Sequence, residues 1–158
     1  MIGNWGVTNV ISNSNMTVSF WINIPTLNSN WTSILHITND NQNCCDNGRR
    51  VPGLWLWPNS TKLYLSVGLE NGEGNFIVPP TNNENTSPEI GINKPTFVVF
   101  TFNGQQISLY LNGVLNYIYN CPSKLTKSSS NASFYCPSPW YKSSSSSEQS
   151  FVKNPGAK

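Results

Sequence analysis

Charge is what this sequence has least of. Only 10% of its 158 residues are Asp, Glu, Lys or Arg, against about a quarter in an ordinary soluble domain. The net charge is +2 and the densest basic cluster is the pair Arg49-Arg50, so the electrostatic footprint of nucleic-acid binding is missing. Long apolar runs are missing as well. No stretch approaches the roughly 18 residues of a membrane helix, and no membrane insertion by this segment is expected. No basic region followed by an apolar run opens the chain, so no leader peptide is visible. No segment carries a convincing helical period. Histidine occurs once, at His36, and carboxylates seven times: Asp40, Asp46, Glu70, Glu73, Glu84, Glu89 and Glu148.

Aromatic residues and uncharged polar residues fill the space. Six Trp, seven Phe and six Tyr exclude a disordered chain, and the length allows one domain with a full core. Apolar residues alternate with a period of two. "MTVSFWINI" places Met16, Val18, Phe20, Ile22 and Ile24 on one face and Trp21 on the other. Further strands are predicted in "TSILHIT" (32–38), "PGLWLWP" (52–58), "TKLYLSVGL" (61–69) and "NFIVP" (75–79).

The clearest local signal is "PTFVVFTFNGQQISLYLNGVLNYIYN" (95–120). Asn103-Gly104 and Asn112-Gly113 each suit a type I′ turn, because both central residues tolerate positive φ. The resulting three-stranded meander sets Phe100 against Ile107, Leu111 against Val114, and Ile107 against Ile118. Val98, Phe100, Phe102, Ile107, Leu109, Leu111, Val114 and Ile118 then form the core face. Phe97, Val99, Tyr110, Leu115 and Tyr117 form a second face too apolar to be freely solvated. "SFYCPSPWY" (133–141) predicts a short strand and a turn, and the Ser-rich 142–158 segment reads as low complexity and flexible. The expected organisation is one β-sandwich over 1–141, cut off before a closing strand. Many short strands and no helices make it all-β, an antiparallel two-sheet sandwich.

The stretch "NDNQNCCDNGRR" (39–50) is rich in groups that hold ions or disulfides. It fails the calcium-loop spacing, because Gln42, Cys44 and Cys45 stand where ligands and glycine are needed. Asn, Asp and Gly favour turns for backbone reasons alone, so a connecting loop without metal is expected. Arg49 or Arg50 should stay solvated or pair with Asp40 or Asp46. A bond between the neighbours Cys44 and Cys45 would be strained. Cys121 and Cys136 flank one loop, and a disulfide closing it would contribute about 3 kcal/mol. Pairing of Cys44 or Cys45 with either of them is the alternative, and free thiols are expected in a reducing compartment. Sequons begin at Asn15, Asn30, Asn59, Asn85 and Asn131; Pro88 makes the fourth a poor acceptor, leaving Asn15, Asn30, Asn59 and Asn131 as candidate glycosylation sites.

"MTVSFWINI", "WTSILHIT", "GLWLWPNSTKLYLSV" and "KPTFVVFTFNGQQISLYLNGVL" together resemble the concanavalin A-like lectin/glucanase superfamily, in its laminin-G-like and pentraxin-like branch. The resemblance implies a concanavalin A-like jelly roll. "RVPGLWLWPNSTKLYL" with the later "PWY" resembles copies in large double-stranded DNA viruses, which implies a virion or surface protein. Glucanases of the superfamily carry an E-x-D-x-x-E strand, and hydrolysis needs two facing carboxyl groups. This chain has no such motif, so it is expected not to be an enzyme and to need no cofactor. Lectins of this type stack Trp and Tyr on sugar rings, which implies Trp55, Trp57, Asn59, Tyr64, Trp140 and Tyr141 as ligand-binding candidates. If Leu54 and Leu56 fill the core, Trp55 and Trp57 make a platform on the other face; in the opposite packing both tryptophans lie in the core. The function expected is a non-catalytic virion structural or surface module that packs against other virion or surface proteins, with glycans as a further partner. The alternative is a secreted or cell-surface carbohydrate-binding lectin module.

Overall fold

The computed structural model describes residues 7–8, 15–40, 46, 48–79, 84–129 and 132–135. Among them are ten strands and one short 3₁₀ turn, Glu84–Thr86. The strands are β1 (Val7–Thr8), β2 (Asn15–Ile22), β3 (Thr32–Thr38), β4 (Gly53–Leu56), β5 (Leu63–Val67), β6 (Phe76–Val78), β7 (Thr96–Asn103), β8 (Gln106–Leu111), β9 (Val114–Asn120) and β10 (Ser133–Tyr135). They form a six-stranded sheet in the order β1-β10-β3-β4-β5-β6 and a four-stranded sheet in the order β2-β7-β8-β9. Every neighbouring pair is antiparallel. The fold is an all-β, concanavalin A-like jelly-roll sandwich.

Alternation decides which side chains meet between the sheets. Leu54, Leu56, Leu63, Leu65 and Val67 from the six-stranded sheet pack with Val98, Phe100, Phe102, Ile107 and Leu109 from the other. Met16, Val18, Phe20 and Ile22 of β2 close one side of this core, while Trp21 points away and is 66% exposed. Each such leucine taken out of water contributes about 1.5–3 kcal/mol. The leucine side of "GLWL" is therefore inside, and its tryptophan side is outside the sandwich.

The meander forms, with two shifts. Phe100 is buried but stands opposite Leu109, and Phe102 opposite Ile107. The pairing is displaced by two residues because the first turn is centred on Gly104 and Gln105 rather than on Asn103 and Gly104. Gly104 alone has positive φ there, 64°, the pattern of a type II′ turn with glycine first. A two-residue slip keeps every side chain on its predicted face. The second turn is as predicted: Asn112 and Gly113 have φ of 51° and 82°, and Leu111 pairs with Val114.

The register then breaks. Tyr110 pairs with Leu115 but Leu109 pairs with Tyr117, leaving Asn116 as the extra residue of a bulge. The bulge reverses the faces of the rest of β9. Tyr117 and Tyr119 turn inward onto the core, while Ile118, expected inside, is 50% exposed. Val114, at the hairpin tip, is 69% exposed.

Beyond β9 the chain crosses to the other sheet. The N–H of Thr126 donates to Gly68 O at 2.9 Å and that of Glu70 to Lys124 O at 2.8 Å, and Leu69 bridges Leu125. Among the described residues Cys121 is a buried free thiol; its expected partner Cys136 lies outside them, and the crossing is held there by these backbone bonds and the buried Leu125. Burial, then Glu73, pushes the Cys121 thiol up to about 11. Cys136, Cys44 and Cys45 lie outside the described residues, as does the 142–158 segment.

The second turn is open to test by one substitution. Nothing lies within 4 Å of a Cβ built on Gly113, so Gly113→Ala isolates the backbone cost of φ near 82°. We expect a loss of about 1 kcal/mol, read as a lower urea midpoint with unchanged slope.

Candidate functional site

The outer face of the six-stranded sheet is the unusual part of the molecule. A face turned away from the core normally carries solvated polar residues. Here β3, β4 and β5 are buried on both faces. Trp55 and Tyr64 stand opposite each other on β4 and β5, with Ser33 of β3 across from Trp55. His36 and Ser66 flank Gly53 on either side.

Trp55 does not stand up from the sheet. Its ring lies over Gly53, where an added Cβ would come within 2.0 Å of the ring. The guanidinium of Arg50 covers the ring, 4.7 Å from its centroid, a cation–π contact. One Arg50 N–H donates to Ser66 Oγ at 3.2 Å, and the same nitrogen contacts Asn75 Oδ1. The Ser66 hydroxyl donates to Asn75 Oδ1 at 2.6 Å. Trp55 and Arg50 are both buried.

A second tier of aromatics surrounds this floor. Trp31 packs on Trp57 with centroids 4.6 Å apart and meets Tyr64 edge-on at 4.8 Å. Trp57 meets Tyr64 edge-on at 5.3 Å, and its indole N–H donates to Ser87 Oγ at 3.0 Å. Edge-on and tilted pairs are the favoured geometries of aromatic rings. Trp31 and Trp57 remain half-buried. Trp31, Tyr64, Trp55, Arg50 and Asn75 together line a recess of about 200 Å³. Burial raises the Tyr64 phenol above its usual range, opposed by Arg50 and Asn75 at its hydroxyl, so it stays a neutral donor and acceptor.

The sequence brings three of its six ligand-binding candidates here: Trp55 and Tyr64 line the recess, and Trp57 backs Trp31. Asn59 lies apart from the recess. It sits at the tip of the β4–β5 turn with φ of 53° and lines a separate hollow with Thr61 and Glu89; the turn carries it off the sheet. Trp140 and Tyr141 lie outside the described residues. Of the candidate glycosylation sites, Asn15 and Asn59 are exposed, Asn30 is half-buried, and Asn131 lies outside the described residues. Trp31, Arg50 and Asn75 were not anticipated. Period two from Ser33, the partner of Trp55, would have placed Trp31 on this face.

The neighbouring loop is held by ions of its own. Arg49 Nε donates to Asp40 at 2.8 Å and an Arg49 terminal nitrogen to Asp46 at 2.7 Å, as the sequence led us to expect. With Asp46 75% exposed, such pairs contribute only about 0–1 kcal/mol each. His36 is buried against Trp55, 5.5 Å between centroids, and its Nε2–H donates to the Arg49 carbonyl. Burial is the main reason its pKa is lowered to about 4.

The recess offers ring faces, a cation, an amide and a phenol. None of the described residues that line it is a carboxylate, and among the described residues no group of three or more His, Cys, Asp or Glu could hold a metal ion.

Comparison with known proteins places this architecture. The family model described as the concanavalin A-like lectin/glucanases superfamily (Laminin_G_3) matches residues 4–148. The chain belongs to this superfamily. Superfamily members include lectins and glucanases by its description. A solved Bacillus licheniformis β-glucanase is similar at 11% identity, over 91% of this chain and 63% of that one, with a TM-score of 0.46. This chain thus spans less than two thirds of that enzyme's length. None of the curated proteins compared matches this superfamily member.

Two outcomes test the geometry. Gly53→Ala should displace the Trp55 ring and destabilise the fold by about 1–3 kcal/mol, with a changed tryptophan emission. The other concerns pH. Unfolded His36 binds a proton near 6.5 and folded His36 only near 4. Between these values the unfolded state holds more protons, so stability falls as pH falls, by about 3 kcal/mol over the window. His36→Gln keeps a side-chain N–H donor and should remove most of that slope in melts between pH 7 and 4.

Proposed function

We propose that this chain is a non-catalytic carbohydrate-recognition module, with the recess beside Trp31 as its sugar site. The observation that carries this reading is the aromatic layer outside a core already filled by leucines. Two of its four large rings, Trp31 and Trp57, stay half-buried, and a half-buried tryptophan wall with an amide and a phenol nearby suits a pyranose. The apolar C–H face of the sugar would cover Trp31, and Asn75 and Tyr64 would meet its hydroxyls. About 200 Å³ holds a single ring rather than a long chain in cross-section. Hydrolysis would need two carboxyl groups across the bond, and the described lining supplies none, which supports binding without turnover.

A second reading is favoured by a different face. On the outside of the four-stranded sheet Trp21, Leu115 and Ile118 are 66%, 46% and 50% exposed, and Trp21 packs on Phe97 at 5.2 Å. An apolar sheet face of this kind suits packing against another protein, as in a virion structural or surface module. The two roles use opposite sides of the molecule and are separable: Trp21→Ser with Ile118→Ser should weaken assembly and leave sugar binding intact.

A glycan array followed by titration of the best ligand tests the lead reading. Trp31→Ala should lower affinity at least tenfold while circular dichroism stays that of the folded sandwich. Unchanged affinity in that variant, or β-glucan cleavage by the purified protein that Glu73→Gln abolishes, would overturn it.

A further inference from the structure

We infer that Asn59 is an N-glycosylation site whose first sugar folds back into the hollow lined by Leu27 and Ile92. The inference stands apart from the carbohydrate reading above. Here the sugar is covalently part of the chain, and the hollow is separate from the recess.

The sequon Asn59-Ser60-Thr61 occupies the β4–β5 turn. Asn59 has a φ of 53°, in the left-handed region that asparagine tolerates. The turn carries it off the sheet and leaves its side chain exposed. The backbone beneath it is fixed. Asn59 N–H donates to Asn28 O at 2.6 Å, Ser60 N–H to Trp57 O at 3.2 Å, and Ile90 N–H to Thr61 O at 3.1 Å. The other sequons are placed less well. The Asn15 carboxamide is engaged by Gly104 N–H at 2.8 Å, Asn30 is half-buried, and Pro88 follows the sequon of Asn85.

Beside Asn59 lies a hollow of about 230 Å³, lined also by Leu27, Ser60, Thr61, Glu89 and Ile92. Leu27 and Ile92 are 47% and 44% exposed, so two aliphatic side chains meet water at the foot of the sequon. An N-linked sugar brings an apolar ring face and an acetamido methyl to cover them. Glu89 is an acceptor for its hydroxyls. Tethering decides the occupant. A free ligand would lose translational freedom on binding, which two half-exposed aliphatics offset poorly. A sugar bonded to Asn59 is held at high effective concentration and needs only weak contacts.

The modification needs an oligosaccharide linked through a diphosphate to a lipid as co-reactant. A bond forms between Asn59 Nδ2 and the anomeric carbon. The bond from that carbon to the diphosphate oxygen breaks, its electron pair leaves on the diphosphate, and Nδ2 releases one proton. Thr61 sets the timing. It is buried, and its hydroxyl donates to Glu89 Oε1 at 3.1 Å. An enzyme that grips both Asn59 and Thr61 can do so only before β4 and β5 close.

The full chain, led into the secretory route of a eukaryotic cell by an added leader peptide, tests this. Glycopeptide mapping should find Asn59 occupied in most molecules. After trimming to one sugar per site, the natural chain should melt about 2–4 °C above Asn59→Gly, a variant that accepts the same φ. In the background of Leu27→Ser with Ile92→Ser that difference should vanish while occupancy stays. Should the double variant fail to fold, NMR contacts between the acetamido methyl and the methyls of Leu27 and Ile92 in the natural chain decide, and their absence overturns the inference. An unmodified Asn59 overturns it outright. An occupied Asn59 with no melting difference, or a difference that survives the double substitution, overturns the seating of the sugar in the hollow.

Discussion

The ring of Trp55 lying flat on Gly53 is the contact on which the outer half of the molecule depends. Leucines take the inner side of β4, so alternation sends Trp55 to the outside. A tryptophan standing upright there would meet water. Glycine two residues earlier removes the Cβ that would hold the ring up, by an approach of 2.0 Å. Flattened, the ring becomes a floor. Arg50 covers it, His36 meets its edge, and Tyr64 and Trp31 rise around it. The sheet thereby has two buried faces, one aliphatic and one aromatic.

The polar groups in this outer layer follow from the same constraint. A buried cation needs partners in place before the layer closes, since an unsatisfied charge away from water is costly. Ser66 alternates outward from β5, and Asn75 stands at the entry to β6, so both reach Arg50. His36 solves the problem in the other direction: it stays neutral and gives its proton to a carbonyl. The residues most suited to bind a ligand thus also hold the sheet's outer face.

Much of the fold was legible because period two is strong wherever one face is buried. "TSILHIT" is β3 to the residue, and the Met16–Ile22 face packs as the alternation requires. The meander was legible in its faces but not its pairing. A turn that begins on glycine and a turn that ends on glycine both fit "FNGQ", yet they differ by two residues in register. The bulge at Asn116 left no sequence signal, and it turned Ile118 out and Tyr117 in. In the site, Trp55, Trp57 and Tyr64 were visible as aromatics on one face. Trp31 was not, because it precedes its strand and gains its place only from the β3–β4 register. Arg50 was hidden by its neighbour: two adjacent arginines beside two aspartates are indistinguishable until the chain turns one inward.

The central claim is that the aromatic layer outside the leucine core is a sugar-binding surface. A crystal structure of the chain with its best array-selected oligosaccharide bound tests it most directly. The account predicts one sugar ring against Trp31, on the outer face of the six-stranded sheet. A sugar seated instead on the loops at the ends of the sandwich, or on the Trp21 face of the other sheet, would contradict it.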